Sequence, residues 1–187
     1  MVPEPVKVPD QAHQAQVRRV GPGCSIASDN AFAVALLTLW HRVTEAGGLV
    51  GFAPSIDRSA LGAAVSVILD DLKSGRAFAF AVTRNRDVIG FAMLRPGTGT
   101  GSHTGQVELV MVEPGSWRTG LGTLLVRAVV DLAAATGLER LRSGVRADPG
   151  VQRFAALLGF SETGQLPGWI RVAPGPDHDE IIMTRHI

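Results

Sequence analysis

The residues whose spacing carries the most chemistry lie between Val107 and Thr123, in the run VELVMVEPGSWRTGLGT. An apolar strand pattern runs into the turn Glu113-Pro114-Gly115-Ser116, and Gly120 and Gly122 then open a helical pattern. The first turn of a helix leaves about four N–H groups without intrahelical partners and carries a partial positive charge. Glycines at that point remove the side chains that would keep an anion away, so the segment reads as a phosphate site. The plainer alternative is glycine as structural punctuation. No lysine and Ser/Thr follow the glycines as a Walker loop requires. The dinucleotide fingerprint fails too, because it needs G-x-G-x-x-G in a parallel βαβ unit with an acidic residue about 20 positions on. Gly97-Thr98-Gly99-Thr100-Gly101 fails both tests, since no helix follows it.

Several polar side chains stand near this segment. Gln106 and Glu108 project from one strand face by the period of two, and Glu108 is the only carboxylate inside that strand. Asp148 precedes Pro149, which fits an N-cap with proline at the first helical position, or a polar site residue ahead of a helix. His103 is a loop histidine or a base, and Cys24 is structural unless the chemistry is covalent. His178, in DHDE, lacks a second histidine at ligand spacing and reads as a solvated turn, so no metal is expected.

The elements that must position these residues follow from periodicity. A short strand is expected over 16–20, then helices over about 31–46 and 59–73. Asp29 or Asn30 would cap the first helix, and Gly47-Gly48 and Gly75 would stop the two. Strands over 77–82 and 88–94 flank the hairpin signal Arg84-Asn85-Arg86-Asp87. A strand over 106–112, a helix from about Gly120 to Gly137, and a strand over 138–145 come next. The last helix would bury Val151, Phe154, Ala155 and Leu158. Two strands, over 160–165 and 179–185, flank a turn-rich stretch from Pro167 to Asp177. The order β-α-α-β-β-β-α-β-α-β-β is a mixed α/β sheet. Residues 1–12, with three prolines, read as a flexible tail before one domain spanning 13–187.

Composition bounds the function. At 187 residues the chain is one domain by the usual yardstick of roughly 150 residues each. A single cysteine excludes a disulfide framework and cysteine-rich zinc sites. No charged n-region precedes an apolar stretch, and no apolar run approaches the ~20 residues that span a bilayer. A soluble, cytoplasmic protein without membrane partners is expected. The net charge of +1 gives a nucleic-acid role no support. There is no tyrosine, so no mechanism here can use a phenol.

VMVEP, RTGLGTLL, FAALLGF and GQLPG together resemble the GCN5-related N-acetyltransferase (GNAT) superfamily, and the element order agrees from about Gln16 onward. AGGLVGFAP and GQLPGW look like acetyltransferases of small amines, including tabtoxin-resistance proteins. The resemblance implies the GNAT acyl-CoA fold, acetyl-CoA as co-substrate and an amine acceptor. It would lay the pyrophosphate against the amides of Arg118, Thr119, Gly120, Leu121, Gly122 and Thr123, with Trp117 beside them. The pantetheine arm would run along Val110, Met111 and Val112. The acceptor pocket would fall near Trp40, Val50, Gly51, Phe52 and Trp169, although Trp40 also reads as core.

The resemblance further implies direct attack by the amine in a ternary complex. An alkyl amine is mostly protonated at pH 7, so a base is useful. Glu108 is the first candidate, directly or through water; its alternative is an ion-paired strand glutamate. Gln106 could position substrate, and Asp148 is the third candidate. Trp117 replaces the family's Gln/Arg, with Arg118 one place later. Ala155 stands where the family usually carries a tyrosine. A small-molecule amine, with a resistance role, is the expected acceptor. A protein lysine or N-terminus is the rival, and a non-catalytic acyl-CoA-binding protein is the second. Monomer and homodimer both remain open.

Overall fold

The computed structural model describes residues 16–187, without residue 49 and residues 173–174, and without the side chains of residues 26 and 27. The expected tail lies outside the described residues. The elements are β1 (Gln16–Val20), α1 (Asn30–Glu45), α2 (Arg58–Ser74), β2 (Phe78–Arg84), β3 (Asp87–Pro96), β4 (Thr104–Val112), α3 (Leu121–Ala135), β5 (Arg140–Arg146), α4 (Pro149–Leu157), β6 (Ser161–Ile170) and β7 (His178–His186). The order is the one read from periodicity. Asp29 rather than Asn30 caps α1, its carboxylate accepting from the Ala31 N–H at 2.8 Å. The β2–β3 hairpin turns on Asn85 and Arg86, both at positive φ (50° and 74°), as a two-residue turn of that hand requires.

One seven-stranded sheet runs β1-β2-β3-β4-β5-β7-β6, antiparallel except for the β4–β5 pair. The interior strand β3 is buried along nearly its whole length, because both faces of the sheet are covered. One core is formed by α1 and α2 with Val20, Phe91, Met93 and Met111. The other is formed by α3 and α4 with Ala92, Leu94, Val107, Leu141 and Ile181.

Three expectations are corrected. β6 does not stop at the turn-rich stretch but runs through Pro167 and Gly168 to Ile170, with a register shift between Leu166 and Ile170 that absorbs the proline. That extension makes His178 the first residue of β7, paired with Ile170, rather than part of a solvated turn. On α4, Val151 is exposed; Ala155 alone of that helix is buried, with Leu158 just beyond its end.

Two irregularities in β4 prepare the site. First, β4 and β5 pair only at Thr104↔Arg140, Gly105↔Leu141 and Gln106↔Arg142, and beyond Gln106 the strands part. Second, β4 advances three residues, Glu108 to Met111, while β3 advances two, Met93 to Phe91. The extra residue is a β-bulge, with Leu109 at φ 53°. Period two continued past Glu108 would put Val110 and Val112 on its face. The bulge reverses this: Leu109 and Met111 join the α1–α2 core, and Val110 and Val112 pack on the α3 side.

The face carrying Glu108 is tied to α2 by a chain of ion pairs. Asp71 accepts from Arg76 Nε and from Arg95 Nη1, both at 2.7 Å, and Arg95 Nε reaches Glu108 Oε2 at 3.4 Å. The Asp71 side chain is 11% exposed. Arg95 first and Arg76 second hold its carboxyl below the usual value of 3.8 by hydrogen bonding. With the folded pKa depressed, the stability Asp71 contributes is full above the unfolded value and is lost as pH falls through the folded one. Asp71→Asn should cost about 2 kcal/mol at pH 7, a Tm lower by about 4–8 °C. The gap to the parent protein should begin to narrow below about pH 4. Thermal melts at pH 7 and pH 3.5 check this; a gap equally wide at both would show that the charge of Asp71 is not what matters.

Candidate active site

The turn after β4 builds a row of free donors. A short 3-10 turn, Pro114–Ser116, leads to Arg118 at φ 61° and Gly120 at φ 90°, and α3 begins at Leu121. Among the described residues, no protein acceptor takes the backbone N–H groups from Arg118 to Thr123. The first α3 bond is Leu124 N–H to Gly120 O at 3.0 Å. Residues at positive φ within such a turn let successive amides converge, and the helix dipole adds positive charge at the same point. Gly120 serves by conformation. Gly122 serves differently from the sequence reading: a Cβ there would lie 3.3 Å from the Phe154 ring, so its bareness lets α4 pack against α3.

Trp117 is half exposed, at 47%, yet its indole is committed. Nε1 donates to Val112 O at 2.7 Å, which joins the turn back to the end of β4. Thr119 Oγ1 donates to Ser116 O at 2.7 Å and tightens the same turn. At the other end of the parted strands, Ser143 Oγ of β5 donates to Val107 O at 3.1 Å. The unpaired edge of β4 is therefore fastened at Val107 and at Val112. The segment between them, with Val110 and Met111, faces the cleft.

Gln106 Oε1 accepts from Arg142 Nη2 at 2.8 Å and Nε at 3.2 Å across the last paired residues, so those two side chains share a face. Glu108 lies two residues on, on that same face, and is the ion-paired glutamate described above. The sequence reading missed a second carboxylate beside the cleft. Glu180 of β7 lies across Gly144 of β5, where a Cβ would be 2.8 Å from Glu180 Cδ. Glycine in the middle of a predicted strand was the available signal.

The other candidates are spread more widely. Asp148 is an N-cap, accepting from Gly150 N at 2.8 Å and Val151 N at 3.2 Å, and its second oxygen is 3.7 Å from Arg146. Trp40 is core, 3% exposed; its Nε1 donates to Val50 O at 2.7 Å and its ring packs on Phe52 at 5.4 Å between centroids. Val50 and Phe52 are half-buried on that anchor, and Gly51 between them is exposed at φ 86°. Trp169 stands 69% exposed on β6. The His103 carbonyl accepts from Glu139 N–H at 2.8 Å, and Cys24 Sγ points to Arg19 O. Among the described residues no three His, Cys, Asp or Glu side chains are grouped to hold a metal ion. Among the described residues no helix is long and apolar enough to cross a membrane.

An open strand edge running into six free amides can hold an extended ligand that ends in an anion, with the carboxylates of Glu108 and Glu180 on one face beside it. The pyrophosphate and pantetheine of acetyl-CoA have that form. Comparison with known proteins identifies the family. Residues 55–160 match the profile of the Acetyltransferase (GNAT) family. An acetyltransferase of that family from Streptococcus pneumoniae superposes with a TM-score of 0.73 at 17% identity, over 92% of this chain and 99% of that one. The yncA protein of Salmonella typhimurium, solved with its cofactor acetyl-CoA, superposes at 0.71 with 18% identity, over 93% and 94%. The ribosomal-protein-S18-alanine N-acetyltransferase of Escherichia coli gives 0.68 at 18% identity, over 92% and 94%. The profile spans more than half of the sequence, which sets aside the reading of a non-catalytic binding protein: the chain belongs to the acetyltransferase (GNAT) family and is an acetyl-CoA-dependent N-acetyltransferase.

Proposed function

We propose that the acceptor is the primary amine of a small molecule, acetylated by direct attack in a ternary complex. Acetyl-CoA supplies an acetyl thioester that an amine can open. In this reading the amides from Arg118 to Thr123 hold its pyrophosphate, and Val110, Met111 and Val112 line its arm. Glu108 takes the proton that the acceptor ammonium must lose, directly or through water, while Gln106 and Arg142 close the narrow end of the cleft. A guanidinium 3.4 Å from Glu108 fixes the direction of its carboxylate. Asp148, already accepting from two amides, has a supporting place at most.

The observation that carries the small-molecule reading is the anchored loop between α1 and α2. Trp40 holds Val50 O, Phe52 packs on the Trp40 ring, and Glu45 accepts from Ser55 N at 2.7 Å. A loop pinned at three points on α1 makes a fixed pocket wall rather than a channel that opens for a polypeptide. A resistance or self-protection role for such a product follows from the sequence resemblance alone. The second reading, a protein lysine or N-terminus, is favoured by the exposed Leu166 and Trp169 along β6, which would suit a peptide.

Release of free CoA thiol, measured over a panel of small amines and short peptides, decides between the two. Turnover confined to peptides would overturn the first. Saturation with acetyl-CoA at 100 times Kd should stabilise the protein by about 2.7 kcal/mol, a Tm rise of about 5–10 °C. No rise would remove the proposed cofactor site. Trp117→Phe, which deletes the bond to Val112 O, should weaken acetyl-CoA binding about fivefold in titration calorimetry, the worth of one hydrogen bond near 1 kcal/mol. Glu108→Gln should lower kcat by about 10²–10⁴-fold with the acetyl-CoA Kd unchanged; undiminished turnover would exclude Glu108 as base.

A further inference from the structure

Glu180 belongs to β7, opposite Arg146 of β5 and Leu166 of β6 in register. A glutamate in that position would ordinarily meet its cross-strand neighbour, here an arginine of opposite charge. It does not. Arg146 reaches Asp148 at 3.7 Å instead, and the Glu180 side chain lies flat across Gly144. Gly144 has no left-handed φ, so its backbone would accept any residue. What keeps a side chain out is the Glu180 carboxylate, which fills the place a Cβ would take.

Its position relative to the parted strands follows from register. Gln106 and Arg142 are the last β4–β5 pair, and their side chains bond on one face. Two residues further, on that same face, β4 presents Glu108 and β5 presents the bare Cα of Gly144 under Glu180. Two carboxylates therefore flank the mouth of the cleft, one from each of its sides, on the face opposite Val107 and α3. They differ in charge balance. Glu108 and Asp71 are matched by Arg95 and Arg76, two anions against two cations. Glu180 has no ion pair among the described residues, and the neighbouring Arg142 is drawn toward the closed end by Gln106.

We infer that Glu180 is a specificity-determining residue of the acceptor site, holding a cationic amine beside Glu108 as it enters the cleft. Gly144 is the positioning residue that lets the carboxylate lie over β5. The inference rests on acetyl transfer to an amine, whether that amine is small or at the end of a peptide. Glu180 itself takes no proton: it contributes charge-assisted hydrogen bonds to an ammonium or similar cation. The acceptors it selects are alkylammonium compounds.

Steady-state kinetics with the best acceptor from the panel, small amine or peptide, test it. Glu180→Gln should raise the KM for the amine about tenfold and leave the KM for acetyl-CoA within twofold. Gly144→Ala should push the flexible carboxylate aside without unfolding the protein and raise the amine KM in the same direction. Combining it with Glu180→Asp, whose shorter side chain clears the new methyl group, should recover part of that loss. An unchanged amine KM in Glu180→Gln, or an equal rise for acetyl-CoA, overturns the inference. Turnover of peptides alone overturns only the small-molecule reading, because the same KM comparison is then made with the peptide. Turnover of no amine at all overturns both.

Discussion

The separation of β4 from β5 after Gln106 is the constraint from which the rest of the site follows. A buried backbone N–H or C=O without a partner costs free energy, and strands inside a sheet normally leave none. Here a strand near the middle of a seven-stranded sheet has an open edge. The protein limits that cost by fastening the edge at both ends with side chains. Ser143 takes the carbonyl of Val107, and the indole of Trp117 takes that of Val112. The groups between them are left to water or to a ligand with amides of its own. An extended molecule that pairs there lies in line with the six amides of the next turn. The same chain path therefore creates the open edge and the row of free amides at its end.

The bulge at Leu109 solves a second problem that the separation creates. With strict alternation, the strand would carry Glu108, Val110 and Val112 on one face, and apolar residues would stand where the proposed acceptor approaches. One extra residue places Glu108 on the α1–α2 face while Val110 and Val112 pack with α3. The cost is a non-glycine residue at positive φ, which β4 sustains because Leu109 packs against the α1–α2 core. Behind Glu108, Arg95 and Asp71 brace the carboxylate from α2. The position of the proposed base is thereby coupled to a helix that carries no part of the cleft itself.

Much of this was legible from residue order. Glycine stops, the Asp29-Asn30 cap signal before the first helix, and the Asn-Arg hairpin are local signals, and each produced its element. The motif from VMVEP to RTGLGT located the turn of free amides because glycine placement is a backbone requirement written directly in the sequence. The bulge was not legible: nothing in VELVMV marks where alternation fails, since every residue there is apolar except Glu108. Nor was Glu180, whose meaning depends on Gly144 in a strand 36 positions earlier in the chain. Trp117 was read as a departure from the family pattern. Its indole replaces the expected side chain with a bond to the backbone, a role that no substitution table conveys.

The absence of tyrosine now has a structural setting. Ala155, where the family pattern carries a phenol, is 8% exposed and packs with Leu158 and Phe160 in the α3–α4 core. A thiol has a pKa of about 8.5 and a phenol about 10, so a phenol is a poor donor to a departing thiolate, which leaves tolerably well unprotonated near neutral pH. The step that cannot be omitted is deprotonation of the acceptor, since an ammonium has no electron pair with which to attack. In a chain without phenols the proposed mechanism thus places its demands on the face that carries Glu108. That is where three charged residues, Arg95, Asp71 and Arg76, form the chain of ion pairs behind Glu108, and where Gly144 stays bare beneath Glu180.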